Sequence, residues 1–134
     1  MLTGAYWYQQ QTRRADDGAD THKMTFGSYA LDVEFARTNA EHRRGLMHRY
    51  KLDEDSGMLF LFAESGQKIF WNKNTYIPLD VIWLYENQVI GISQLPAISE
   101  GLVTISSPPN TNRVLEVNRG WSARHGIQIG ARMW

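Results

Sequence analysis

The chain has 134 residues, of which 43% are hydrophobic and 12% aromatic, and it contains no cysteine. This composition is that of one globular domain, and it excludes disulfide bonds, thiolate metal sites and cysteine nucleophiles. The 14 basic and 14 acidic residues balance to a net charge of zero, which argues against bulk electrostatic binding to nucleic acid or to an anionic membrane.

The chain is predicted to consist of an N-terminal arm, residues 1–23, and a single β-rich domain, residues 24–134. Tyr6, Trp7 and Tyr8 form an aromatic cluster in the arm, ahead of a polar stretch. Two interpretations stay open. Chain termini are commonly frayed, whereas an exposed aromatic cluster indicates contact with a partner protein or with a second copy of the chain. In the second case the arm could add a strand to the edge of a neighbouring sheet.

The start of the chain lacks the cationic and apolar segments of an intact signal peptide. Whether a signal peptide has been removed stays open. The apolar runs are far shorter than the roughly 20 residues that a membrane-spanning helix needs. No membrane span is therefore predicted, and the composition alone does not determine the compartment.

One strand and one helix are predicted between residues 29 and 45. The segment from Tyr29 to Ala36 alternates apolar and polar side chains, which is typical of a half-buried strand. Thr38 and Glu41 have the spacing of a capping box, in which each side chain bonds a backbone amide at the start of a helix. Gly45 suits the C-terminal end, because glycine readily adopts the left-handed conformation found there. The helix is therefore predicted to be short.

The rest of the chain is predicted to form short strands separated by turns. Met58–Phe62 is an unbroken apolar run, which is typical of a strand that is buried on both faces. Pro78 suits the start of a strand, where a missing amide donor is tolerated. Further strands are predicted at 69–71, 79–85, 89–92, 103–105, 113–117 and 127–133, with a helical turn at 121–125. About seven strands with one or two short helices indicate a mostly β fold, a small antiparallel barrel-like domain.

The sequence contains none of the common catalytic or metal-binding motifs. Its histidines, His22, His42, His48 and His125, lack the paired spacing of a zinc site. The acidic turn Asp53–Gly57 resembles the start of a calcium loop, but its glycine is displaced and an apolar strand follows. There is no G-x-S-x-G elbow and no glycine-rich phosphate loop. No metal and no cofactor is therefore predicted.

Four carboxylates on predicted strands could converge into a catalytic pair of the kind that glycosidases use. They are Asp32, Glu34, Asp80 and Glu116. The simpler interpretation places most of them on exposed strand faces. Among the histidines, His48 follows the short helix and could point into a cleft.

The segment Trp71–Asp80 concentrates polar side chains between two hydrophobic strands. Two interpretations stay open. In the first, a polar network braces one end of the barrel, and Asp80 anchors Lys73 or Arg49. In the second, the segment forms a binding pocket that is lined by Trp71 and takes its polar contacts from Lys73 and its neighbours.

Five short blocks, in a fixed order along the chain, carry a family resemblance. The blocks are Gly45–Arg49, Gly57–Phe60, Phe70–Thr75, Ile77–Asp80 and Val114–Val117. Together they resemble the domain of unknown function 192 family of uncharacterised bacterial and archaeal proteins, over roughly residues 28–133. The resemblance implies a compact, β-rich, barrel-like domain with a short helix, in a family whose members are often exported. It implies no activity.

Two positions depart from the family pattern. His48 stands where the family usually has another aromatic residue, and Asn72 stands where it usually has methionine. Both place polar groups at positions that are apolar in the family, so the resemblance implies a wetter pocket here. The matching positions and these two departures are the candidates for ligand or partner binding: His48, Arg49, Trp71, Asn72, Lys73, Asn74, Thr75, Asp80 and Glu116.

Three functional hypotheses follow. The leading one is a non-enzymatic binding or assembly module, in which the aromatic arm contacts a protein partner, for instance within a larger extracellular or viral assembly. It depends on the missing catalytic motifs, the neutral charge and the arm. The first alternative is a small-molecule binder, for example of carbohydrate, with Trp71 as a stacking platform. The second is a hydrolase that uses Asp80, Glu116 or His48.

Overall fold

A computed structural model describes residues 13–14 and 20–134 of the chain. The aromatic cluster predicted at residues 6–8 lies outside these residues. The described elements are β1 (Arg13–Arg14), β2 (Asp20–Phe26), β3 (Tyr29–Ala36), α1 (Asn39–Arg44), β4 (Ser56–Gly66), β5 (Ile69–Trp71), β6 (Leu79–Tyr85), β7 (Gln88–Leu95), a 3₁₀ turn (Ile98–Glu100), β8 (Thr104–Ser106), β9 (Thr111–Asn118) and α2 (Trp121–Arg124).

The strands form one large sheet and one small sheet. The large sheet has seven strands in the order β1-β2-β3-β4-β9-β6-β7, and β5 pairs with β8 in a separate two-stranded sheet. All of these pairs are antiparallel except β3–β4, which is parallel. That pair is parallel because the connection through α1 brings the chain back to the same end of the sheet before β4 begins. The prediction of a mostly β fold with short helices is confirmed.

The large sheet is open and does not close into a barrel. The C-terminal segment makes isolated bridges from Met133 to Phe26 and from Arg132 to Gln88. The strand predicted over residues 127–133 is wrong, because the backbone turns at Gly130, where φ is 97°. A turning segment cannot supply the continuous ladder that would close the sheet.

The short helix α1 is held at both ends by the residues that the sequence indicates. The Glu41 amide donates to Thr38 Oγ1 at 3.1 Å, and the Glu41 carboxylate accepts from the amides of Arg37 at 2.6 Å and Thr38 at 3.1 Å. These backbone hydrogen bonds lower the pKa of Glu41. At the other end, the Gly45 amide donates to Glu41 O, and φ at Gly45 is 47°. The caps fix the position of α1, which buries none of its own residues.

Replacing Thr38 with alanine is expected to lower the free energy of unfolding by about 1 kcal/mol, because one helix amide loses its acceptor. Thr38→Ser retains the hydroxyl and should stay close to the wild-type value. Urea unfolding of the three proteins measures the difference. Equal stabilities for the alanine and serine variants would show that the cap does not contribute.

Two apolar cores lie on the two faces of the large sheet. The first core contains Leu115, Val117 and Trp121, so it covers the α2 side. The second core contains Val81 and Val114 and covers the side of α1 and the small sheet. Successive strand residues point to opposite faces. Each residue of β6 and β9 is therefore assigned to one core, and this alternation decides which polar side chains can meet.

Candidate ligand cleft

A cleft opens into the second core, between β4, β5 and the segment that contains α1. Its inner part encloses about 250 Å³. Aromatic and aliphatic side chains form its walls, and one strand of the large sheet forms its floor. The residues that line the inner part are His42, Arg43, Arg44, Gly45, Leu46, Met47, Phe60, Phe62, Ile69, Phe70, Trp71, Thr75 and Glu116.

The floor of the cleft carries a buried carboxyl group, that of Glu116. Glu116 pairs with Val81 across the β9–β6 ladder, and Val81 belongs to the second core, so the Glu116 side chain points to the same face. It is 5% exposed. Among the described residues it has no hydrogen-bond or ion-pair partner. Because Glu116 lines the cavity, its hydrogen-bonding groups are available to a ligand, which makes it the most informative residue of the cleft.

Burial also determines the protonation of Glu116. It raises the pKa of this carboxyl from its ordinary value of 4.5 to about 8, and no neighbouring charge contributes. At neutral pH the group is therefore mostly a neutral acid that can donate one hydrogen bond and accept others. A ligand atom in the cavity could therefore accept a hydrogen bond from Glu116 or donate one to it.

The mouth of the cleft is a wider depression of about 460 Å³ that continues the inner cavity. Arg43, Arg44, Met47 and Trp71 line both parts, so the two form one cleft. Lys73 also lines the mouth, with its Nζ 5.2 Å from the centre of the Trp71 ring, a cation–π distance. Trp71 remains 48% exposed, so it is accessible for stacking.

Six of the predicted site residues contribute to this cleft. Trp71, Thr75 and Glu116 line the inner part, and Trp71, His48, Lys73 and Asn74 line the mouth. His48 and Asn74 both have positive φ, 66° and 54°. The His48 amide donates to the Asn74 carbonyl at 2.8 Å, which ties the segment after α1 to the segment after β5. These two residues therefore set the shape of the mouth through their backbones.

Asn72 lies outside the cleft and braces the fold. It is fully buried, and its Nδ2 donates to the carbonyls of Pro96 and Gly101 at 2.9 and 2.8 Å. Its Oδ1 accepts from the Val103 amide at 2.8 Å. Because backbone groups use both ends of this amide, Asn72 does not add a polar group to the cleft. It fits the interpretation of a structural polar network.

Arg49 is held in an ion pair away from the cleft. Its guanidinium donates to both carboxylate oxygens of Glu34, at 2.6 and 2.8 Å. The predicted contact of Asp80 with Arg49 or Lys73 is not formed. Asp80 lies on the opposite face of the sheet, where it accepts hydrogen bonds from backbone amides at the start of a helix.

Asp80 anchors α2 in the first core. Its carboxylate oxygens accept from the amides of Gly120 at 3.1 Å and Ser122 at 3.0 Å. It pairs with Val117 across the ladder, whereas the next residue along β6 pairs with Glu116. Asp80 and Glu116 therefore point to opposite faces of the sheet, and they cannot act together on one substrate.

Removing the Asp80 carboxylate is expected to destabilise the protein strongly. Asp80→Ala leaves two amides at the start of α2 without acceptors, and the expected loss is about 2–4 kcal/mol of unfolding free energy. Asp80→Asn keeps one acceptor and should lose about half as much. Urea unfolding gives both values. A wild-type stability for Asp80→Ala would disprove this anchoring role.

Sequence reasoning did not identify the basic residues of α1 that line the cleft, His42, Arg43 and Arg44. The capping box located α1, but the cap gives no information on which side of the helix faces the core. Arginines in a last turn also have an ordinary explanation, since cations there interact favourably with the helix dipole. His42 packs its ring on Phe62 at 4.3 Å, with its Nε2 2.9 Å from the Ala36 carbonyl oxygen. The His42 ring thereby forms part of the cleft wall.

The protein is thus a small, mostly β domain with an open mixed sheet and an apolar cleft. The floor of the cleft carries an acid that no described residue pairs. The chain belongs to the domain of unknown function 192 family, described as "Uncharacterized ACR", whose profile matches residues 21–134. The family resemblance is thereby confirmed. No helix among the described residues is long and apolar enough to cross a membrane.

Two solved structures are similar over almost the whole chain. A protein of unknown function from Novosphingobium aromaticivorans is 32% identical, with a TM-score of 0.82, and the match covers 92% of this chain and 91% of that one. A Sinorhizobium meliloti protein, provisionally described as a transcription regulator, is 30% identical, with a TM-score of 0.74 and coverage of 92% and 89%. No protein with a curated function matches the chain. The comparisons therefore give a family and a fold without an activity.

Proposed function

We propose that this protein is a non-enzymatic module that binds a small molecule in the cleft between α1, β4 and β5. The observation that carries the proposal is the buried Glu116 carboxyl, which has no partner among the described residues and faces the cavity. A ligand that bonds to Glu116 would use a hydrogen-bonding capacity that no described residue uses.

The walls of the cleft support the same proposal. Small-molecule sites are typically concave and mostly apolar, with a few polar groups that fix the ligand's orientation. Phe60, Phe62 and Phe70 supply the apolar walls, Trp71 supplies an exposed stacking face, and Glu116 supplies the single acid. This composition suits a ring or chain with a hydrogen-bonding group at its inner end.

Binding is a better explanation of the cleft than hydrolysis. The predicted hydrolase would pair Glu116 with Asp80 or His48 at the reacting atoms, and a catalytic group must lie within hydrogen-bond reach of the proton that it transfers. Asp80 points to the other face of the sheet, and His48 is an exposed residue of the mouth. Assembly through the N-terminal arm stays a prediction, since its aromatic residues lie outside the described part of the chain.

A matched naphthalene series tests whether the cleft binds ligands. The probes are 2-naphthol, 2-naphthoate and 2-naphthylmethylamine, added to ¹⁵N-labelled protein. At least one probe is expected to shift the Trp71 indole resonance and the Gly45 and Thr75 amides in a saturable way.

The Glu116→Met variant should weaken the binding of 2-naphthol about tenfold or more, because it removes the group at the floor to which the naphthol hydroxyl bonds. The control is Glu54→Met, the same substitution in an exposed turn, which should bind as the wild type does. If none of the three probes shifts the cleft resonances, or if the two variants behave alike, the proposed function is wrong.

A further inference from the structure

The cleft also indicates the charge of its ligand. We infer that the protein binds an amphipathic anion, whose apolar ring system fills the cavity above Glu116 and whose anionic group lies at the mouth, beside Arg43, Arg44 and Lys73. The inference rests on the proposed function and adds the chemical class and the orientation of the ligand.

The cations at the mouth are the first support for this inference. Arg43 and Arg44 are exposed, and neither makes an ion pair among the described residues. Three other arginines are ion-paired, namely Arg49 with Glu34, Arg113 with Glu86 and Arg119 with Glu100. The helix dipole favours cations in the last turn of α1. It does not explain why Lys73, from a different segment, lies in the same depression.

The second support is that the residues lining the mouth include cations and no acidic side chain. Glu116 is the one acidic residue among those that line the described cavity and mouth, and burial keeps it neutral at pH 7. The mouth is therefore positive, although the whole chain has a net charge of zero. A concave positive region with apolar walls concentrates the field and attracts anions.

The third support is the separation between the charged mouth and the apolar floor. Among the described residues, none of the three cations makes an ion pair with Glu116, although Arg43 and Arg44 line the same cavity. A ligand that uses both ends must therefore be polar at each end and apolar between them.

The size of the inner cavity limits the apolar part. Its volume of about 250 Å³ corresponds to that of roughly eight water molecules in the liquid. One ring or two fused rings therefore fit, with the anionic group outside and one hydrogen-bonding atom at Glu116.

The naphthalene series tests the charge directly, because its members share one ring system. We expect 2-naphthoate to bind about tenfold or more tightly than 2-naphthylmethylamine, with neutral 2-naphthol between them, as measured by calorimetry at low salt. The double substitution Arg43→Gln and Arg44→Gln should bring the ratio of the 2-naphthoate and 2-naphthylmethylamine affinities close to one. Arg124→Gln, in the last turn of α2, is the matched control and should keep the preference.

The orientation is tested with 6-hydroxy-2-naphthoate, which adds a hydroxyl at the end remote from the carboxylate. It should bind more tightly than 2-naphthoate to the wild type, and Glu116→Met should abolish that advantage. Equal or tighter binding of the amine would overturn the anion inference while leaving the proposed function intact. An unchanged advantage in Glu116→Met would overturn the orientation. Failure of all four compounds to bind would remove the proposed function itself.

Discussion

The Glu116 carboxyl is expected to lower the free energy of unfolding as the pH rises from about 5 to about 8. Its pKa is about 8 in the folded protein, against an ordinary value of 4.5. Between these values the folded state retains a proton that the unfolded state has released. Stability therefore decreases with a slope of about 1.4 kcal/mol per pH unit. The contribution is fully present below the unfolded pKa and is lost once the pH passes the folded pKa.

The total effect of Glu116 is on the order of 4 kcal/mol, a large part of the stability of a small domain. Glu116→Gln keeps the shape and polarity of the side chain and cannot titrate. The wild-type curve should therefore descend relative to the variant curve over this window, and the two should run parallel above about pH 9. Urea unfolding at steps of about one pH unit measures both curves.

The comparison with Glu116→Gln isolates this residue from the other groups that titrate. Glu41 acts in the opposite sense, since its lowered pKa gives stability that is present at neutral pH and lost in acid. His42, which lines the same cavity, is present in both proteins and therefore does not contribute to the difference between the two curves. Curves that stay parallel from about pH 5 to about pH 8 would show that Glu116 is ionised or solvated in the folded state.

Local features of the sequence predicted the elements that local physics determines. The Tyr29–Ala36 strand was predicted from its alternation, and β3 has the same bounds. The Thr38–Glu41 capping box and the Gly45 end of α1 also match the structure. Each depends on side chains within four residues of one another, so no knowledge of the tertiary structure is needed to recognise it.

Features that depend on distant partners could not be predicted in the same way. The parallel pairing of β3 with β4 and the open edge of the sheet follow from strand order, which a single sequence does not contain. Charged residues on strands were also misleading. The simpler interpretation placed most of the four strand carboxylates on exposed faces, although Glu34, Asp80 and Glu116 are 6%, 2% and 5% exposed. The signal was available at Glu116, because apolar residues on both sides of it in the sequence indicate a strand buried on both faces.

Replacing Arg49 with alanine is expected to cost about 3–5 kcal/mol of unfolding free energy, because Glu34 then remains as a buried charge without a partner. The two side chains form a bidentate pair with a shortest distance of 2.6 Å, and they are 19% and 8% exposed. Urea unfolding at neutral pH measures this loss. A loss below about 1 kcal/mol would mean that the pair behaves like an exposed salt bridge.

The double variant Arg49→Met and Glu34→Leu separates the value of the pair from the cost of an orphaned charge. Apolar residues of similar volume need no partner, so the double variant should recover most of the stability that Arg49→Ala loses. Glu116 provides a comparison, since it is a buried acid of the same sheet that makes no ion pair with an arginine among the described residues. If the double variant is as unstable as Arg49→Ala, the ion pair itself stabilises this fold. Recovery would show that Arg49 is needed chiefly because Glu34 is buried.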